Sequence, residues 1–257
     1  MTTVLGVLGA TGVTGSLLVQ YGLEREHQVV GLARFPWKLP GDHLDAISSG
    51  KLRIVKGDAR DEAALEEVVK STDVIFEATG HNHNRPGTMR EDIAKLLVKL
   101  MRKHGKKRLL YISAAFAHEE GLVVVPQRMR GMVAFMSDNK GADVLKAEEV
   151  YRAAGSWLEW TVIQPPRIVQ KPLTEDLITK AGKFPQAQNG SFTITFADMA
   201  LMMLDTAANG TFIHQDVYLN CPSKLSPGLK DIPKFADMMI TNLGNALRRC
   251  KRRPSAP

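Results

Sequence analysis

Thr3-Val4-Leu5-Gly6-Val7-Leu8 runs directly into Gly9-Ala10-Thr11-Gly12-Val13-Thr14-Gly15, and the reading of this stretch decides the fold. A short apolar run followed by three evenly spaced glycines predicts a strand that hands over to a helix through a tight turn. Gly9 suits a position that needs positive φ. A side chain at Gly12 would keep a pyrophosphate away from the backbone N–H groups, and Gly15 lets the helix close onto the strand. The free N–H groups and the helix dipole of such a turn favour a diphosphate. The stretch therefore predicts a dinucleotide site, with Gly9, Thr11, Gly12, Val13, Thr14 and Gly15 around the diphosphate.

The pattern downstream extends this reading. Apolar runs at 28–33, 52–55, 73–78 and 108–113 alternate with helical patterns at 13–24, from Asp61 onward, and at 89–103. In the last of these, Ile93, Leu96, Leu97 and Leu100 share one face. Strands alternating with helices imply right-handed βαβ units. Continuous rather than alternating hydrophobicity in the strands implies cover on both faces. The expected fold is α/β: a Rossmann-type, doubly wound parallel sheet with helices on both faces. After Ser113 an irregular stretch containing Pro126, Arg128 and Arg130 precedes a helix at 138–154 and a strand at 160–163. A short strand at 191–196, a helix at 197–207 and a last strand at 217–219 follow. Residues 1–220 are expected to form the dinucleotide-binding domain with an embedded substrate pocket. Residues 221–257 are expected to form a small substrate-side extension, with a helix at 234–247 that would align Phe235, Met238, Met239, Leu243 and Leu247.

Composition narrows the function classes. With 257 residues and 44% hydrophobic content, the chain suits one large domain. No apolar stretch approaches the roughly 20 residues that cross a bilayer, and the N-terminus lacks a signal-peptide pattern. Cys221 and Cys250 are too few for a disulfide framework or a metal site, so a cytoplasmic setting is expected. The net charge of +7 is partly local, because Arg248, Arg249, Lys251, Arg252 and Arg253 crowd the C-terminus. That tail is expected to be solvated, with the extension offering a surface for a protein partner and nucleic acid disfavoured. His81 and His83 lie in His81-Asn82-His83-Asn84-Arg85 without a third ligand, so a polar loop at the site mouth is expected there and no metal.

The end of the second strand selects the cofactor. NAD-specific folds place a carboxylate there for the ribose 2′-hydroxyl, whereas an Arg accommodates a 2′-phosphate. Here Leu32-Ala33-Arg34 is followed by Lys38, with no carboxylate before Asp42. A guanidinium forks naturally onto phosphate. NADP(H) is the expected cofactor.

The Gly-x-x-Gly-x-x-Gly spacing, with Gly57-Asp58 and Ala78-Thr79-Gly80, resembles the atypical short-chain dehydrogenase/reductase superfamily. The resemblance implies that Asp58, with Ala59, meets the adenine and that Ala78, Thr79 and Gly80 line the ribose. It puts Ser113 and Pro165 at the nicotinamide end. Ser113 ends the fifth strand, where the family serine lies, and Lys146 sits on the following helix. Four residues before Lys146 stands Ala142 rather than the family tyrosine. Without that phenol, alcohol–ketone interconversion loses its proton relay.

Subfamilies that lack the tyrosine include the flavin reductase/biliverdin reductase B group and the NmrA-like redox sensors. The chain is similar to the first in Val125-Pro126-Gln127-Arg128, Val150-Tyr151-Arg152-Ala153-Ala154-Gly155, Pro165-Pro166-Arg167-Ile168 and Lys171-Pro172-Leu173-Thr174. The likeness spans residues 4–205. One departure stands out: Arg167 occupies the place of that group's histidine. Arginine cannot exchange protons near neutral pH, but it can hold an anionic substrate. The resemblance implies an NADPH-dependent reductase that passes hydride to a flavin, quinone or tetrapyrrole-like acceptor. Its candidate catalytic residues are Ser113, Arg167 and Lys146. A redox-silent NADP(H)-binding sensor or scaffold, and an isomerase or cyclase using the same pocket, are the alternatives.

Overall fold

Alternation within each strand explains how one sheet carries two cores. Successive side chains of a strand point to opposite faces. Val7 and Leu8, Phe76 and Ile75, Leu110 and Leu109, and Ile163 and Val162 therefore enter different clusters. The computed structural model describes residues 3–41, 43–80, 87–124, 127–174, 177–182 and 193–220, with the side chains of 123, 124, 128–130, 132–140, 178, 180 and 220 outside the description. The elements are β1 (Val4–Leu8), α1 (Val13–Glu24), β2 (Gln28–Ala33), α2 (Leu44–Ser48), β3 (Leu52–Lys56), α3 (Glu62–Lys70), β4 (Val74–Glu77), α4 (Met89–Lys103) and β5 (Arg108–Ile112). They continue with α5 (Gln127–Ala153), β6 (Glu159–Gln164), β7 (Arg167–Val169), β8 (Ile178–Ala181), β9 (Thr193–Thr195), α6 (Phe196–Ala208) and β10 (Gln215–Asn220).

The main sheet runs β3-β2-β1-β4-β5-β6-β10-β8. Its neighbours pair in parallel except β8, which lies antiparallel on β10 at the edge. This is the doubly wound α/β sheet expected from the sequence. On one face α1 and α6 pack over Val7, Phe76 and Leu110. On the other, α3, α4 and α5 cover Leu8, Ile75, Leu109 and Tyr111. The strand order turns back between β1 and β4, and open α/β sheets bind ligands outside the strand carboxyl ends at such a point.

Local signals fix several helix starts. Asp61 caps α3, its Oδ1 accepting the N–H groups of Ala63 and Ala64. Thr195 caps α6 through the Asp198 N–H. Each such cap satisfies backbone donors that a helix leaves open. The α4 start is held from a distance: Asp143, on α5, accepts the N–H groups of Arg90 and Glu91 at 3.0 and 3.1 Å.

Three features differ from the sequence expectation. Helix α5 begins at Gln127 rather than at 138; apart from Gly131, residues 127–137 are adequate helix formers, and Pro126 marks the break before them. The short strands β7 and β8 lie where no strand was expected, being too short for a period to register. Helix α2 is likewise a single short turn of chain. Among the described residues no helix is long and apolar enough to cross a membrane. The expected extension at 221–257, both cysteines, residues 81–85 and Val125-Pro126 lie outside the described residues.

Candidate functional site

Sheet register brings the sequence-selected residues to one edge. The β1–β4 pairing matches Leu8 with Glu77, which sets Gly9 beside Ala78. The β4–β5 pairing matches Glu77 with Tyr111, two residues before Ser113. Ser113 N–H donates to Ile163 O at 2.8 Å and Ala115 N–H to Pro165 O at 2.9 Å. On the other side, Gly9 and Ala10 both donate to Leu32 O at 3.1 Å, and Gly57 donates to Ala33 O. Arg34 and Asp58, the glycine turn, Ala78-Thr79-Gly80, Ser113 and Pro165 thus form one line along the carboxyl ends of six strands.

The turn itself fits a diphosphate. Gly9 has φ +80°, and a Cβ there would lie 2.9 Å from Ala78 O. Gly12 is the N-cap of α1, yet its φ of −75° and ψ of 164° suit any residue. A Cβ on Gly12 would meet only Gly9 O, at 3.2 Å. Chain packing therefore demands glycine at the first position far more than at the second. Helix α1 has no side-chain cap and no acidic residue in its first turn, so its leading N–H groups could hold an anion. Thr11 is half-buried, Gly12 is exposed and Val13 is 44% exposed.

At the β2–β3 end of this line, Arg34 Nη1 stands 4.0 Å from Asp58 Oδ2. Burial alone would raise the Asp58 carboxyl; hydrogen bonds from Arg60 and the charges of Arg60 and Arg34 outweigh it and hold the group below its ordinary range. Asp58 is thus a charged acceptor. Lys38 Nζ lies 4.7 Å from the Phe35 ring centre. That ring meets Trp37 edge-on, and Trp37 is 71% exposed.

Glu77 shapes the next part of the line. Its Oε1 accepts the Thr79 N–H at 3.1 Å and the Thr79 hydroxyl, which fixes the turn that carries Thr79 and Gly80. Its Oε2 has no partner among the described residues. Burial raises the Glu77 carboxyl above its ordinary value, against the opposing pull of Arg90 and Thr79.

Ser113 is joined by two residues that the motif reading did not select. Its hydroxyl donates to Oε1 of Glu148, and His118 Nε2 approaches the same oxygen at 3.1 Å. Gln164 Nε2 lies 3.0 Å from His118 Nε2. Arg152 holds the other oxygen of Glu148 at 2.8 Å and reaches Asp216 at 2.6 Å. Glu148 is fully buried. Burial pushes its carboxyl up, but hydrogen bonds from His118 and Ser113, with the charges of His118 and Arg152, bring it below the ordinary value. It is therefore ionised at neutral pH. One sequence signal pointed here: Glu148 lies among Val144, Ala147 and Tyr151, all buried, so a carboxylate interrupts the apolar face of α5.

Lys146, expected alongside Ser113, points elsewhere. Two residues along a helix are separated by about 200°, so Lys146 and Glu148 leave α5 on nearly opposite sides. Lys146 Nζ lies 3.5 Å from Glu91 Oε2 on α4, with its side chain 55% exposed. The structure gives the place beside Ser113 to Glu148. Arg167 opens β7 and lies two residues past Pro165, at the same edge as Ser113. Among the described residues no carboxylate pairs with it.

Fold and turn together define a dinucleotide-binding α/β protein. Residues 9–210 match the NAD(P)H-binding family, and the chain belongs to it. The chain is 24% identical over 210 residues to oxidoreductase aflX of Aspergillus parasiticus, a match covering 78% of this chain and 76% of that protein. It is 26% identical over 237 residues to oxidoreductase claK of Passalora fulva, covering 86% and 85%. Its fold matches a short-chain dehydrogenase/reductase of Veillonella parvula DSM 2008 in complex with NADP. That match has a TM-score of 0.68 and 16% identity, covering 89% of this chain and 96% of the other. The matched span holds every residue of this edge, from Gly9 to Arg167.

Proposed function

We propose that this chain is an NADPH-dependent reductase whose acceptor is a conjugated, negatively charged molecule of the flavin, quinone or tetrapyrrole-like class. The observation that carries the acceptor half is Arg167. A structural arginine pairs with a nearby acid, and among the described residues none pairs with this one. A guanidinium that is always charged and has no acidic partner among the described residues suits an external anion. Its charge also favours negative charge that grows on the acceptor during reduction.

The cofactor half rests on Arg34 and Lys38 at the end of β2. The Arg34 side chain is 62% exposed, with Asp58 as a 4.0 Å neighbour, which leaves its fork open to a 2′-phosphate. The glycine turn would take the diphosphate on the N–H groups of α1, and Thr79 would be presented to the ribose by Glu77. When bound, the reduced nicotinamide supplies the hydride. A conjugated acceptor stacked on that ring needs orientation from the protein more than covalent chemistry. Ser113 and Arg167 would orient it from the β5 and β6 edge.

Steady-state NADPH oxidation with flavin mononucleotide, menadione and biliverdin tests the reading. Turnover with at least one acceptor, faster with the anionic ones, is expected. Tight NADPH binding with no turnover of any acceptor would overturn it in favour of a redox-silent sensor.

A further inference from the structure

Hydride transfer alone leaves an acceptor one negative charge richer, so a proton must follow. The usual phenol position is filled by Ala142, and Arg167 cannot give up a proton at neutral pH. Three facts about one carboxylate group answer this need. Oε1 of Glu148 accepts the Ser113 hydroxyl. The same oxygen lies 3.1 Å from His118 Nε2. The second oxygen, Oε2, is fixed by Arg152, so the carboxylate cannot turn away. Ser113 and Glu148 are buried, while the His118 side chain keeps 16% of its surface open.

We propose that Ser113, Glu148 and His118 form a proton relay that feeds the acceptor, with His118 as its entry from solvent. The inference rests on the reductase reading above. Ser113, at the acceptor edge, is the catalytic residue of the three; Glu148 and His118 act through it. In one passage the Ser113 O–H bond breaks and its proton goes to a heteroatom of the reduced acceptor. Glu148 Oε1 passes a proton to the Ser113 oxygen and receives one from His118 Nε2. The imidazolium becomes neutral imidazole, and water reprotonates it. Each hop breaks one bond to hydrogen and forms one, and the net effect is one proton moved from solvent to the acceptor. Glu148 begins and ends as a carboxylate.

In the resting state Nε2 of His118 carries a proton, since a bare Nε2 and the ionised Oε1 would repel; that repulsion is relieved when water reprotonates the ring after each passage. The Gln164 amide then turns its oxygen toward the ring, an orientation that heavy-atom positions leave to the hydrogen-bond network. The charged and titratable groups around His118 are Glu148 and, behind it, Arg152 from α5 and Asp216 from β10. Its chain neighbours Glu119 and Glu120 are exposed.

The test compares wild type with Glu148→Gln, His118→Gln and Ser113→Ala in the full chain, using NADPH and flavin mononucleotide. Glu148→Gln keeps shape and hydrogen bonding but cannot relay. It should lower kcat by about 100-fold, the low end for a positioned proton donor, while the NADPH Kd measured by fluorescence stays within about twofold. The proton inventory in mixed H2O and D2O should be curved for wild type, as more than one proton moves, and linear for the variant. In the free protein, the downfield His118 ring N–H resonance should move upfield in Glu148→Gln. His118→Gln should remove the fall in rate with rising pH that an imidazolium donor imposes. If Glu148→Gln fails to fold, the His118→Gln and Ser113→Ala profiles decide instead. An active wild type whose variants keep its kcat, pH profile and curved inventory would overturn the relay alone. A wild type that reduces no acceptor would overturn the reductase reading, and the relay with it.

Discussion

Gly15 lies so close to Gly9 that a Cβ on Gly15 would stand 2.1 Å from the Gly9 carbonyl oxygen. No real Cβ tolerates that approach, and the obstacle is backbone, which cannot swing aside. The closeness seats α1 directly behind β1 and aims the N-terminus of the helix at the turn. At Gly12 a Cβ would meet the same carbonyl oxygen at 3.2 Å, a tight contact that a small shift relieves, so packing excludes a side chain at Gly15 far more strictly than at Gly12.

That contrast gives the first prediction. Gly15→Ala should destabilise the protein by about 1–3 kcal/mol, the usual range for overpacking, and lower its thermal midpoint. Gly12→Val should lower the midpoint less than Gly15→Ala does, but weaken NADPH binding by at least about tenfold. Thermal melts and fluorescence titrations of both variants check the pair. A Gly12→Val protein that binds normally would move the diphosphate site elsewhere.

The proposed preference for NADPH rests on Arg34. NADPH should bind at least about tenfold more tightly than NADH, equivalent to about 1.4 kcal/mol. Arg34→Glu should erase or reverse that preference. The new carboxylate would stand near Asp58, an ionised neighbour now 4.0 Å from the guanidinium, and would repel a 2′-phosphate. Equal Kd values for the two cofactors in the wild type would remove the argument.

Glu77 makes a prediction about pH. Burial raises its folded carboxyl pKa above the ordinary 4.5. Between the unfolded and folded values the folded state binds the extra proton, so this group's contribution falls as pH rises through that window. Glu77→Gln can still accept from Thr79 but cannot ionise. The thermal midpoint of wild type relative to Glu77→Gln should therefore decline from about pH 4.5 upward. A difference that is flat with pH would show that Glu77 is not held neutral.

How far the sequence carried this reading depends on the range over which each signal acts. The alternation of apolar runs and helical patterns up to residue 113 is local, and β1 to β5 fall where those patterns lie. So does α1, whose glycines advertise both the turn and its neighbours. The start of α5 was hidden, since Gly131 and a weak period obscure an otherwise helical run. Strands β7 and β8 exist through tertiary pairing, β7 with β9 and β8 with β10, and three or four residues carry no period. The Ser113 partner was missed for a related reason. Motif alignment placed Lys146 by counting from a tyrosine that is absent, whereas the burial pattern of Val144, Ala147 and Tyr151 shows that Glu148 faces the sheet. His118 left no trace in sequence, because only the turns after β5 carry it back to Glu148.

The last prediction concerns Arg167. It opens β7, whose pairing with β9 matches Arg167 to Thr193, so its backbone is fixed while its side chain has no acidic partner among the described residues. If its charge holds an anionic acceptor, Arg167→Ala should raise KM for flavin mononucleotide by about tenfold or more, the scale of one charge-assisted contact. Reduction of neutral menadione should change by less than about threefold, because a neutral quinone offers the guanidinium no charge in its ground state. Arg167→Lys should recover part of the flavin loss, since the charge returns without the planar fork. Arg167→His places a titratable group there, so flavin turnover should gain a dependence on pH near neutrality that wild type lacks at this position. Steady-state kinetics with the two acceptors across pH 5.5 to about 8.5 separate these outcomes. Equal losses for the charged and the neutral acceptor would show that Arg167 shapes the pocket rather than reading the charge of its occupant.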